Sequence, residues 1–264
     1  MSVDILAQPR STAFLSRANP LAKLGAAMVL TVALLLTVDW VSAVVALACE
    51  LAVLPLAGLS LRMLLVRSWP ILAAALVGAY GSALLAPKTG AVLLAWGPFL
   101  FTEGSVESGV AIALRGLAIG LPGIIVLAST DPTDLADALA QKLLLPHRFV
   151  LGALAAMRLV GLLVAEWQTL GMARRARGVG SNTGVLGRFV ASLGQAMALL
   201  VQAIRRASRL AVTMEAKGFG AGPRTWARRS AYSVVDVWVF GAGLLVSAAA
   251  VGAAVVLGTW NPVF

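Results

Sequence analysis

The chain has 264 residues, of which 60% are hydrophobic and 12% charged, with a net charge of +10 and a mean hydropathy of +0.92. A soluble domain is nearer half apolar and a quarter charged, so these values exclude an ordinary soluble enzyme or binding module. The single cysteine, Cys49, excludes a disulfide framework and a Cys-rich metal site. Uncharged apolar runs at 24–38, 68–87, 116–130 and 238–257 reach, alone or with their flanks, the roughly 20 residues that a spanning helix needs. They do not alternate polar and apolar as the strands of an outer-membrane barrel do. The predicted fold class is an all-α polytopic membrane protein.

In chain order, residues 1–20 read as a polar cytoplasmic segment carrying Arg10 and Arg17. Asn19-Pro20 predicts a helix start, because proline suits the first helical turn. A first span runs over 21–38, Asp39-Trp40 makes a turn, and a second span covers 41–60. Arg62 and Arg67 form the next loop, and a third span runs over 69–86. The apolar stretch 91–101 is short and contains Gly97-Pro98, which fits a re-entrant or interfacial segment. A fourth span over 108–130 completes the membrane region 21–130, and a fifth over 235–257 lies in the C-terminal region 230–264. With the N-terminus inside, Arg10, Arg17, Arg62, Arg67 and the whole of 142–229 fall on the cytoplasmic side, leaving only Lys88 in an outer loop. This predicts five spans, N-in and C-out.

The region 131–229 reads as a cytoplasmic domain. Residues 147–229 hold 13 of the 21 Lys and Arg and only two acids, Glu166 and Glu215, so they account for all of the net positive charge. The domain opens on Asp131-Pro132-Thr133-Asp134. Asp131 caps, Pro132 takes the first helical position, and Asp134 faces the positive helix end. That role for these acids, and for Asp137, outweighs a metal site. A short amphipathic helix stops before Pro146, and two long helices follow over about 149–177 and 189–217, joined by a glycine-rich turn at Gly178–Gly187. Apolar residues at 193, 196, 200, 203, 207, 210 and 214 predict a packing seam on the second long helix, with Gln202, Arg205, Arg206 and Arg209 off it.

One phrase occurs twice, forty residues apart: Ala176-Arg177-Gly178 and Ala216-Lys217-Gly218. Each places a cation and then a glycine at the end of a long helix. Glycine adopts the left-handed conformation that terminates a helix, and a cation there complements the negative helix end. The pattern presents two cationic tips, which suit a partner with two equivalent acidic grooves. The plainer reading is a basic loop that satisfies topology and touches anionic lipid. Nucleic acid fits poorly, because aromatic residues are not interleaved with the basic ones.

Two charges fall inside spans. Glu50 lies midway along the second and Arg115 inside the fourth, where a lone charge is costly. They are expected to pair, or each to turn to a polar neighbour; the alternative is a protonated or interfacial Glu50. No G-x-x-x-x-G-K-[ST] phosphate loop is present, so energy from ATP would have to come from another chain. His147, the only histidine, reads as a polar surface residue at a helix start.

The chain resembles the transmembrane T component of energy-coupling-factor importers, the EcfT or CbiQ type, along most of its length. Asn19-Pro20-Leu21-Ala22-Lys23-Leu24 is similar to that family's opening. Thr130-Asp131-Pro132-Thr133-Asp134-Leu135 with Leu145-Pro146 resembles its entry to the cytoplasmic domain. Ala176-Arg177-Gly178 and Met214-Glu215-Ala216-Lys217-Gly218-Phe219 resemble its two Ala-Arg-Gly motifs. The resemblance implies a subunit of a bacterial or archaeal cytoplasmic membrane that binds no cofactor and hydrolyses no ATP. Its partners would be two ATP-binding-cassette subunits, distinct or identical, that carry ATP and Mg, and a membrane S component that captures a vitamin or a transition-metal ion. Ala176, Arg177 and Gly178 would dock on one ATPase subunit, and Ala216, Lys217 and Gly218 on the other. Lys217 stands where the family usually has arginine; it keeps the charge and loses the bidentate fork.

Two other classes compete with this reading. A membrane enzyme acting on lipid phosphate would need clustered acids or histidine at headgroup depth, and the only acidic cluster is the helix start at Asp131. A stand-alone transporter would need a polar midplane site, for which only Glu50 and Arg115 qualify.

Overall fold

The computed structural model describes residues 14–37, 39–58, 61–96, 99–179, 184–222, 225–226 and 228–260. Arg10, Gly97-Pro98 and Gly180–Asn182 lie outside these. Eight α-helices and one two-stranded sheet occupy the described residues. Seven of the helices are long and apolar or carry the repeated phrase: α1 (Pro20–Leu35), α2 (Trp40–Val53), α3 (Leu61–Leu85), α4 (Glu103–Ser129), α6 (His147–Ala176), α7 (Val185–Ala216) and α8 (Val234–Val256). The short α5 (Pro132–Gln141) lies between α4 and α6. The described residues form two compact units, a smaller one over 136–230 and a larger one over 14–135 with 231–260.

In the larger unit the helix starts are built from local side chains. Asn19 accepts a hydrogen bond from the Leu21 amide at 3.0 Å, with Pro20 opening α1. Asp39 accepts from the Ser42 amide at 2.7 Å at the start of α2. Ser105 Oγ accepts from the Thr102 amide at 2.9 Å at the start of α4, and Ser233 with Asp236 forms a capping box at the start of α8. Small residues let these helices approach closely. Ala43, Ala46, Ala118, Ala250 and Ala254 are fully buried, and Ala46, Ala118 and Ala250 share one core with Leu30 and Leu34. At Gly243 of α8 a Cβ would lie 2.6 Å from the Ala26 methyl, and at Gly109 of α4 it would lie 2.8 Å from the Ala79 carbonyl oxygen.

Three expectations change, and the stretch at 91–101 takes a backbone form that its sequence left open. The first two helices, at 16 and 14 residues, are shorter than the spans 21–38 and 41–60. Helix α1 stops ahead of the Asp39 cap, and α2 gives way at Pro55 to a 3-10 turn, Leu54–Ala57, closed by Gly58 at φ 67°. Arg62 and Arg67 are not in a loop but in the first turns of α3, whose Pro70 is tolerated inside the helix. The stretch at 91–101 folds as an antiparallel hairpin, β1 (Val92–Trp96) with β2 (Phe99–Thr102). A hairpin satisfies apolar backbone that is too short to span, because each strand supplies the other's hydrogen-bond partners. Glu50 lies one turn from the end of α2, not at mid-span.

Among the described residues, five helices have the length and hydropathy to cross a membrane: α3, α4, α6, α7 and α8. Two of them, α6 and α7, belong to the basic region.

Candidate functional site

The Ala136–Ser230 unit pairs α6 with α7 in antiparallel sense. The Glu166 carboxylate of α6 accepts from the Arg206 guanidinium of α7. Gln195 Nε2 donates to the Trp167 carbonyl at 2.7 Å, and Arg174 Nη1 donates to the Ala191 carbonyl at 3.1 Å. Gly171 and Gly194 lie at this crossing, next to the Gln195 and Arg174 side chains. The covered face of α7 therefore runs through Ala191, Gln195, Leu199, Ala203, Arg206, Leu210 and Met214. This corrects the expected seam in its first half, where Leu193, Ala196 and Leu200 are exposed. It also places Arg206 on the packed face. A hydropathy pattern cannot register a contact face whose members are glutamine and arginine bonded to the neighbouring helix.

Both long helices end in the same way. After Ala176, Arg177 keeps near-helical dihedrals (φ −88°, ψ 6°) and Gly178 turns left-handed at φ 80°. The Gly178 amide donates to the Arg175 carbonyl at 2.9 Å, and the Val179 amide donates to the Arg174 carbonyl at 3.0 Å. After Ala216, Lys217 has φ −88° and ψ 10°, and Gly218 has φ 69°. The Gly218 amide donates to the Glu215 carbonyl at 2.8 Å, and the Phe219 amide donates to the Met214 carbonyl at 3.0 Å. Each is a Schellman motif, with paired hydrogen bonds that close the helix on glycine. Arg177 and Lys217 are both exposed, and a Cβ on either glycine would meet nothing within 4 Å. The conformation, not crowding, demands glycine.

The two tips differ in what supports them. The first stands beside Arg174, which is anchored to α7. The second rests on the start of α6: the Phe219 ring meets His147 edge-on at 6.3 Å, and Arg148 donates to the Gly220 carbonyl. His147, Met214, Lys217, Phe219 and Thr225 line a depression there. His147, expected to be a polar surface residue at a helix start, is thus part of the second tip. No local signal reveals this, because the partners are separated by about seventy residues. The second tip sits against the first residue of α6 and the first follows its last, so the 30 residues of α6, about 45 Å of rise, lie between them.

Asp131 Oδ1 accepts from the Thr133 amide at 2.7 Å, Pro132 is the first residue of α5, and Asp134 lies in its first turn. Glu50 and Arg115 are not brought together. Arg115 Nη2 donates to the Leu35 carbonyl at 2.7 Å, whereas both Glu50 oxygens are buried without a hydrogen-bond partner among the described residues. Glu50 lines an apolar cavity with Leu30 and Pro122. Pro122 lies seven residues beyond Arg115 on α4, about 10 Å of helix rise, so the two charges belong to different depths.

The helices, their hydropathy and their small-residue packing define a multi-pass membrane protein. The family described as cobalt transport protein, CbiQ, matches residues 11–226, and the chain belongs to that family. It is similar to the energy-coupling factor transporter transmembrane protein EcfT of Brevibacillus brevis, 35% identical over 51% of this chain and 54% of the relative. The Bacillus subtilis protein of the same name is 31% identical over 59% of this chain and 62% of its own length. That of Macrococcus caseolyticus is 28% identical over 84% and 87%. The first two matches thus span a little over half of each relative.

Proposed function

We propose that the chain is the non-catalytic transmembrane coupling subunit of an energy-coupling-factor importer, with its two helix tips as the docking points for two cytoplasmic ATPase subunits. The observation that carries this reading is the repetition of one helix ending, in sequence and in hydrogen bonding, with an exposed cation at the same step of each. A basic loop that serves only topology has no need of two matched Schellman ends. The names of the relatives agree with the reading.

Helices α6 and α7 are apolar enough to span, but their charges argue for a water-facing or interfacial place. The Glu166–Arg206 pair and Arg205 and Arg209 would lie within a crossing, at about 2.5–3.5 kcal/mol for each central charge. Val190, Leu193, Met197, Leu200, Val201 and Ile204 form an exposed apolar stripe on α7, suited to an S component in the membrane. In this reading ATP and Mg reside on the ATPases, and the vitamin or metal cargo on the S component.

Co-purification tests it. The chain is expressed with candidate ATPases of its own genome and isolated in detergent, beside Arg177→Glu/Lys217→Glu. Stoichiometric ATPase recovery that the double variant loses is the expected result. No recovery with the wild-type chain would return the choice to a lone transporter or lipid-phosphate enzyme. Recovery that survives both reversals would move the docking site off the tips.

A further inference from the structure

The chain leaves the larger unit at two places, after α4 and before α8, and residues of a single short motif hold both. At the first exit, Lys23 Nζ donates to the Ser129 carbonyl at 2.8 Å, satisfying an acceptor at the end of α4 that has no helical partner. At the second, the Asn19 amide donates to Asp236 Oδ1, and the Asn19 side chain donates to the Ala231 carbonyl at 3.4 Å. The other Asp236 oxygen accepts the Ser233 amide at 2.6 Å within the α8 capping box. Lys23 and Asp236 are both more than nine-tenths buried, as is Asn19. Asp134 and Asp236 are the carboxylates whose charge acts on Lys23. Asn19 and Lys23 are the two ends of Asn19-Pro20-Leu21-Ala22-Lys23, whose role docking does not account for.

We propose that Asn19 and Lys23, with Asp236, form a clamp that fixes both connections between the membrane unit and the region bearing the two tips. Pro20 contributes by starting α1 rigidly, so that Asn19 and Lys23 sit one helical turn apart on one face. A cation here serves better than a neutral donor, because it bonds the negative end of α4. Resting on the coupler reading, the clamp makes Lys23 and Asn19 positioning residues. They touch neither ATPase nor cargo, and they fix where each connection leaves the membrane helices.

The test separates the two halves of the clamp. Amide hydrogen exchange on the full chain in detergent should rise on the order of tenfold at 129–135 in Lys23→Met, with 231–236 little changed. Asp236→Asn should do the converse, and Lys23→Arg should restore protection. Should Lys23→Met not accumulate, Asp236→Asn and Lys23→Arg carry the test. In the complex with its ATPases, Lys23→Met should retain ATPase recovery, while hydrolysis moves to the rate of the ATPases alone. Unchanged exchange at both exits, or equal acceleration at both in either single variant, would overturn the clamp. A wild-type chain that retains no ATPase would instead remove the coupler reading, and the exchange measurement on the chain alone would still judge the clamp.

Discussion

Helices α4 and α6 each carry an apolar window of similar mean hydropathy, 2.2 and 1.9, yet 28% of that window is buried in α4 and none in α6. The polar groups differ in the same sense. In the larger unit, Asn19, Asp39, Ser105 and Asp236 are buried at helix ends, closing backbone groups and leaving alanines to pack the middles. In the Ala136–Ser230 unit, Gln195, Glu166 and Arg206 sit along the helices and hold them side by side, leaving apolar faces uncovered. A helix that packs with its own chain hides its apolar surface behind small residues. A helix that joins to its neighbour by polar contacts keeps that surface for something else.

The largest effect that would break this contrast is at the tips. Arg177→Glu/Lys217→Glu should lower ATPase docking on the order of a hundredfold, read as loss of recovery, while the melting temperature stays fixed. Next, Gly243→Val should destabilise the larger unit by about 1–3 kcal/mol, because the added Cβ meets Ala26, and thermal unfolding in detergent measures it. Gly178→Val should cost about 1–2 kcal/mol locally through its positive φ, weakening docking roughly tenfold at one tip without touching the larger unit. Glu50→Gln and Arg115→Gln should act independently, their effects on unfolding adding to within about 0.5 kcal/mol; a larger coupling would reinstate the pair. The smallest change is Lys217→Arg, for which docking should be kept or tightened slightly by a planar donor.

What was legible in the sequence was local. The Gly178 and Gly218 helix ends, the Asn19-Pro20 start and the Asp131-Pro132 cap each depend on residues within four positions, and each folds as its residue types dictate. What escaped depended on distant partners. The crossing at Gln195 and the bed of His147 under Phe219 join segments 28 and about seventy residues apart, through polar or aromatic contacts that leave no periodic trace. The hairpin at Val92–Thr102 was hidden because a short apolar run specifies burial without specifying backbone form. The supposed pairing of Glu50 with Arg115 failed for a related reason: rarity of charge marks both residues but carries no depth, and depth was decided by where α2 ended.

Helix α6 also acts as a gauge of length. Inserting one residue would turn everything beyond it by about 100° and swing one tip off its face, whereas removing seven, close to two full turns, would keep the facing and bring the ends about 10 Å nearer. The spacing of whatever two sites the ends engage is therefore written as a number of helical turns, and changes in that spacing are tolerated in steps of seven residues rather than one.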